Sequence, residues 1–299
     1  MKILLFGPSS SLGQSFIKAA KRRNHSIYCI SNNSNEAQSW SCSEPNWIHL
    51  DFSNFDSIQQ LIFSQWPEVI VNCLDRSDSS EEKAVVQINV HLPKLLAQIS
   101  HHLNTRFIHI SNYQIFDGSS RAPYRSTDKP SPTSFYGQSK LLGEKEVLKN
   151  NTSDPVIIRV PDLLGHSLKQ DSNSVSFNEH ILNTLQSSGK INVSKNHFLQ
   201  PTTANNVADL LVELSERRDL NGIFHWAGSE RIDAFRLVKL ILENANIEKP
   251  EEVIELVEAD QEKNFSMELD PLKGKVKTKA LNIQEQFEDL NYIEPLRID

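Results

Sequence analysis

Lys2-Ile-Leu-Leu-Phe-Gly-Pro-Ser-Ser-Ser-Leu-Gly13, running into residues 14–23, is the stretch from which the architecture follows. Residues 2–6 form a short continuous apolar run, as in a parallel strand buried on both faces. Gly7 and Gly13 bracket a turn, and Phe16, Ile17, Ala19 and Ala20 then recur at helical spacing. Strand, glycine-bearing turn and helix in that order form the dinucleotide-binding arrangement. Its physical basis is the helix N-terminus, where unpaired backbone N–H groups and the positive end of the dipole face a pyrophosphate. Gly7, Ser9, Ser10, Ser11, Leu12 and Gly13 are the candidate phosphate-facing residues. A βα turn without a ligand has the same spacing, so the rest of the chain has to supply context.

Outward from that turn, residues 26–30, 47–50, 68–72, 106–110 and 155–160 repeat the short apolar run. Residues 56–66, 81–101 and the segment around Tyr136 have helical patterns between them. This alternation predicts an α/β fold with a Rossmann-type doubly wound parallel sheet. The second strand runs into Ser31-Asn32-Asn33-Ser34. It offers neither the acidic residue of strict NAD binders nor an Arg for a 2′-phosphate, so NADP and NAD both stay open. After Val160 the rhythm changes. Residues 167–174 are polar and loop-like, 175–185, 206–217, 233–245 and 282–289 read as helices, and 222–228 reads as a short strand between glycines. The expected organisation is a dinucleotide domain over 1–162 with a return segment near 200–228. A smaller C-terminal α/β substrate domain spans 163–299.

Composition narrows the partners. A net charge of -7 without long like-charge runs argues against nucleic acid and anionic membrane surfaces. Cys29, Cys42 and Cys73 have no metal or redox spacing and suit a reducing compartment. The run at 2–6 is too short for a signal peptide, and no run approaches the ~18 apolar residues of a membrane span. The cytoplasm is the expected location. His101, His102 and His109 lack a spaced partner set, so no metal site is expected.

Ser134-Phe-Tyr-Gly-Gln-Ser-Lys-Leu-Leu-Gly-Glu144 carries the chemistry. Tyr136 and Lys140 are four residues apart, hence on one helix face. A phenol has a pKa of about 10 in isolation. An adjacent ammonium stabilises the phenolate and lowers that value, which predicts a proton donor for a carbonyl oxygen receiving hydride. The spacing alone also fits a surface i,i+4 pair.

Further segments join this one: Ile110-Ser-Asn-Tyr-Gln-Ile-Phe-Asp-Gly118, Pro123-Tyr-Arg125 with Asp128 and Pro132, Ile158-Arg159, Pro201-Thr202, Phe224-His-Trp-Ala-Gly228, and Asn89. Together they make the chain resemble the extended short-chain dehydrogenase/reductases over nearly its whole length. Among them it resembles the dTDP-4-dehydrorhamnose reductases and the related regulatory beta subunits of methionine adenosyltransferase. The resemblance implies NADP or NAD in the first domain and a nucleotide sugar under the second, and it admits a homodimer. It makes Tyr136 the general acid, with Lys140 lowering its pKa and bonding the nicotinamide ribose. Gly7 and Gly13 line the pyrophosphate, Asp51 approaches the adenine, and Asn72, Cys73, Leu74 and Asn89 lie along the cofactor. Three positions depart from the family pattern. Ser10 replaces a glycine, Leu74 replaces a small residue, and Asn112 stands where the third catalytic residue is Ser or Thr. Asn can donate through its amide but lacks a hydroxyl. Ser111 is its neighbour, on the opposite side of an extended strand.

Two functions are compatible with these residues. One is a reductase of a 4-keto deoxy nucleotide sugar. The other is a cofactor-binding regulatory protein with little turnover, as in the beta subunits.

Overall fold

Residues 1–32, 45–77, 79–151, 154–166, 175–258, 262–269 and 272–291 are described by a computed structural model. The expectations on Asn33, Ser34, Cys42 and 167–174 fall outside them. The chain runs β1 (Lys2–Phe6), α1 (Ser11–Arg22), β2 (Ser26–Ser31), β3 (Asn46–His49), α2 (Phe55–Gln65), β4 (Val69–Asn72), α3 (Glu82–Val86), α4 (Leu92–Leu103), β5 (Arg106–Asn112), α5 (Phe135–Asn150) and β6 (Val156–Val160). It continues with β7 (Leu163–Leu164), α6 (Phe177–Ser188), β8 (Ile191–Ser194), β9 (His197–Leu199), β10 (Thr202–Thr203), α7 (Ala204–Glu216) and β11 (Gly222–His225). Last come β12 (Ile232–Asp233), α8 (Ala234–Asn244), β13 (Ile254–Val257), β14 (Lys263–Asn264) and α9 (Ile283–Asn291).

The main sheet has seven strands in the order β11-β6-β5-β4-β1-β2-β3, every pair parallel. Successive strands leave β1 in one direction to β3 and resume beside it at β4 in the other. The switch point of this doubly wound sheet is therefore between β1 and β4, where such folds bind ligands outside the strand C-termini. The apolar runs follow from burial on both faces. Ile3, Leu5, Ile108 and Ile158 pack with α1 and α7, while Leu4, Phe6, Ile70, Phe107 and Ile157 pack with α2, α4 and Val147 of α5.

The chain returns to this sheet late. α7 packs on α1, and β11 adds the seventh strand beside β6. The remaining strands make small sheets, β10-β7, β12-β9-β14 and β13-β8, that share a separate core with α6 and α8 through Leu164, Ile181, Leu182, Ile191, Leu237 and Ile241. The β7–β10 pair ties this lobe to the main sheet, since β7 follows β6 directly and β10 runs into α7. No helix of the described residues is long and apolar enough to cross a membrane.

One expected element is corrected. Residues 81–101 are not a single α-helix: a π-helical turn at Gln87–His91 separates α3 from α4. Such wide turns often mark functional positions. This one carries buried Asn89, whose Oδ1 accepts from the Arg76 N–H at 3.1 Å and whose Nδ2 donates to the Arg76 carbonyl at 2.8 Å. The same Nδ2 donates to Ser139 Oγ on α5 at 2.9 Å. Asn89 thus acts as a splint for the segment after β4.

A buried polar cluster fastens α5 to the sheet. Arg159 of β6 donates to both oxygens of Glu144 at 3.0 and 2.8 Å, with side chains only 3% and 2% exposed. Arg159 also donates to the Ser126 carbonyl and to Nε2 of His225. Because Nε2 accepts, Nδ1 carries the proton and donates to the Tyr124 carbonyl at 3.1 Å. Burial, with Arg159 adding to it, pushes the His225 pKa down to about 3, which keeps this ring neutral.

Candidate active site

The turn after β1 is built by two close approaches. A Cβ on Gly13 would lie 2.1 Å from the Gly7 carbonyl oxygen, so only glycine lets α1 start this close to the strand end. Ser10 is the N-cap of α1. Its Oγ accepts from the Gly13 N–H at 3.0 Å and donates to the Gly7 carbonyl at 3.0 Å. The Ser10 side chain therefore folds back across the turn rather than standing in the way of a ligand. The N–H groups of Ser11 and Leu12, in the first turn of α1, have no intrahelical partner. They are available to an anion.

Those residues form one end of a cleft of about 550 Å³. Gly7, Ser9, Ser10, Ser11 and Leu12 line it together with Cys73, Leu74, Ser111, Asn112, Tyr136 and Lys140. The structure so assembles eleven of the residues singled out in the sequence. Gly13, Asp51, Asn72 and Asn89 are not among the lining residues. Gly13 shapes the turn behind it. Asn72 is buried between the His109 ring and the Leu74 N–H, which its Oδ1 accepts at 3.2 Å, and so orders the chain after β4. Asp51 is exposed and bonded to Ser53, whose backbone and hydroxyl hold its carboxyl below the usual range. A larger cleft of about 900 Å³ around Trp226, Arg231, Lys273, Lys277 and Lys279 contains none of the predicted residues. The smaller cleft, at the switch point, is the one lined by the predicted catalytic and cofactor residues.

Tyr136 reaches it because of Gly137. A Cβ there would lie 2.2 Å from the Gln114 carbonyl oxygen, so the start of α5 packs directly on the backbone following β5. Ser134 caps that helix start by accepting from the Gly137 N–H at 3.0 Å. One turn on, Lys140 is 2% exposed and donates from Nζ to the Ile110 carbonyl at 2.9 Å. Asn112 spends its Oδ1 on the Gln114 N–H at 2.8 Å, and its amide nitrogen has no partner among the described residues. Ser111 was expected on the far side of the strand. It lines the same cleft, and its buried Oγ lacks a partner among the described residues. Cys73 is no nucleophile, because burial pushes its thiol up to about 12.

Two acidic side chains, Asp75 and Asp162, escaped the sequence reading. Tyr136 donates its phenol proton to Asp75 Oδ2 at 2.7 Å, and Asp75 Oδ1 stands 3.4 Å from Lys140 Nζ. Asp162, just past β6, accepts from the Tyr113 hydroxyl at 2.8 Å, and burial raises its carboxyl above the usual range. This reverses one expectation. Lys140 was to lower the Tyr136 pKa, yet the phenol is held well above its ordinary value by burial first, then by Asp75 and Asp162. Asp75 diverts the ammonium's charge and adds its own. The findable signal was position: Asp75 and Asp162 both follow strand C-termini, where α/β sheets place ligands.

The sheet order, the turn at its switch point and a Tyr/Lys helix opening on that turn define a Rossmann-type protein with the fold of the extended short-chain dehydrogenase/reductases. Within that class, residues 1–289 match the RmlD substrate binding domain family, and the chain belongs to it. It is 28% identical to methionine adenosyltransferase 2 subunit beta of Bos taurus over 257 residues, covering 82% of this chain and 72% of that protein. The fold superposes on the dTDP-4-dehydrorhamnose reductase of Clostridium acetobutylicum with a TM-score of 0.78 at 20% identity, covering 98% and 99% of the two chains. It matches the Bacillus anthracis dTDP-4-dehydrorhamnose reductase in complex with NADP equally well, with a TM-score of 0.78 at 19% identity over 97% and 98%.

Proposed function

We propose that the protein is an NAD(P)H-dependent reductase of a 4-keto deoxy nucleotide sugar. The observation that carries this is the meeting of Tyr136, Lys140 and the free first-turn N–H groups of α1 in one cleft at the switch point. The residues present fit a dinucleotide. Ser11 and Leu12 would hold the pyrophosphate on their N–H groups, and the buried Ser111 Oγ beside the cleft lacks a partner among the described residues. A reduced nicotinamide bound there supplies the hydride. The chain's own residues do the rest. Lys140 anchors the ligand end nearest Tyr136, Tyr136 gives its phenol proton to the ketone oxygen, and the free Asn112 amide donates a hydrogen bond to that oxygen as charge develops. Phe177, Ser176 and His180 line the cleft from the small lobe, and on this reading the sugar nucleotide would bind against them. The substrate class rests on the reductases whose fold this chain shares. The direct test is NADPH oxidation with dTDP-4-dehydrorhamnose, which the reading expects to be saturable and dependent on Tyr136.

Asn112→Thr refines the test. Losing an oxyanion donor lowers rates by about 10²–10³. The Asn112 amide already supplies one donor, so the threonine hydroxyl is expected to raise turnover only modestly, about tenfold on that scale, with cofactor affinity unchanged. A drop in turnover would mean that the amide itself is the required donor.

A second reading is favoured by Asp75. A carboxylate on the Tyr136 hydroxyl keeps the acid from a substrate until a ligand displaces it, as suits a regulatory protein with little turnover. Tight dinucleotide binding with no turnover of any 4-keto nucleotide sugar, by wild type or Asn112→Thr, would select it.

A further inference from the structure

Asp75 is not a stray surface acid. The segment that carries it is fixed on both sides by bonds that do not involve its carboxylate. Upstream, the Leu74 N–H donates to Asn72 at 3.2 Å; downstream, Asn89 takes both the N–H and the carbonyl of Arg76. The Arg76 guanidinium is in turn paired with Glu81. This scaffold presents the Asp75 carboxylate to the only two groups of α5 that the proposed chemistry uses. One oxygen takes the Tyr136 hydroxyl, and the other stands 3.4 Å from the Lys140 ammonium. The Asp75 side chain is 46% exposed at the cleft rim, whereas Lys140 is buried. The carboxylate can therefore rotate into solvent at little cost, while the ammonium cannot follow it.

A phenol has one proton to donate. While Asp75 holds it, no ligand hydroxyl or carbonyl can receive it. We propose that Asp75 is an internal competitor for the cleft: its carboxylate occupies Tyr136 and Lys140, and a dinucleotide binds only when that side chain swings out. This rests on the dinucleotide reading of the cleft and adds the residue that sets its affinity. A site competent for only a fraction of the time binds more weakly by that fraction. If the Asp75-bonded form holds about 80–90% of molecules, its removal tightens binding about five- to tenfold.

The test uses Asp75→Ala, which removes both the charge and the acceptor at an exposed position, with the wild type beside it. Titration with NADPH and NADH is expected to give about five- to tenfold tighter binding to the variant. Equal or weaker binding by the variant, with measurable binding by the wild type, overturns the inference. A second readout is independent of any cofactor. The charged and titratable groups facing Tyr136 are Asp75 from the segment after β4, Lys140 from α5, Tyr113 after β5 and Asp162 after β6, with His180 of α6 acting on Asp162. Deleting the Asp75 charge favours the phenolate, so its ultraviolet absorbance should appear at lower pH in Asp75→Ala than in wild type. That step must vanish in the Asp75→Ala, Tyr136→Phe double variant. If neither protein binds a dinucleotide, the cofactor reading falls. The competition then falls with it, whereas an unmoved phenolate step in proteins that do bind overturns the competition and leaves the cofactor reading standing.

Discussion

Replacing Tyr136 with Phe is expected to lower kcat for ketone reduction by at least ~100-fold, the usual scale for losing a general acid. The substitution removes one oxygen. Among the described residues that oxygen bonds only to Asp75, and the Asp75 carboxylate keeps Lys140 beside it and solvent in front of it. The fold should therefore change little, and dinucleotide affinity should hold or rise as Asp75 loses its phenol partner, so the loss falls on kcat. Melting and NADPH titration check the first point, steady-state NADPH oxidation the second. Turnover within a few-fold of wild type would take Tyr136 out of the mechanism.

The largest stability effect is expected at Glu144. Glu144→Ala leaves the Arg159 guanidinium buried without its carboxylate. Breaking a buried, doubly bonded ion pair from one side destabilises by about 3–5 kcal/mol. The Ser126 carbonyl and neutral His225 remain as partners but bring no negative charge. Because this pair fastens the middle of α5 to β6, the same change should also loosen Lys140 and Tyr136, one and two turns upstream. Urea unfolding of the variant measures the first effect through its midpoint. A loss under about 1 kcal/mol would mean that the partner set of Arg159 is sufficient without Glu144.

The main sheet was legible because burial on both faces leaves a simple mark. Runs such as Ile3-Leu-Leu-Phe6 and Ile157-Ile158 have no polar face to hide, and the helices between them must cross over the sheet. The return of β11 was legible from Gly222-Ile-Phe-His-Trp-Ala-Gly228, which reads as a strand long after the first six. The π turn at Gln87–His91 was not legible. Its apolar residues fit an α-helix, and what it serves is a contact between Asn89 and Arg76, 13 residues apart, made in the folded state alone.

The site divides in the same way. Tyr136 and Lys140 announce themselves by spacing on one helix. Asp75 meets them across 61 residues of chain, and only the placement of β4 next to β5 brings that about. Its effect on the phenol could not be read from an i,i+4 rule that counts residues on a single helix. Ser10 stands out in the sequence only as a departure from the family's glycine; as N-cap of α1 it completes the turn. Many of the residues that carried the family resemblance turn out to be scaffold. Phe116 stacks on Tyr124 at 4.1 Å, and Arg159, Glu144 and His225 form the buried cluster beside them. That resemblance therefore spoke for the fold more strongly than for the chemistry.

The central claim is that the cleft between β1 and β4 holds a nicotinamide dinucleotide. Calorimetric titration of the purified full-length chain with NADPH and with NADH tests it most directly. The account predicts saturable binding of one molecule per chain for at least one of the two, weakened when Lys140 is changed to Ala. A folded protein that gives no heat and no thermal stabilisation with either dinucleotide would contradict it.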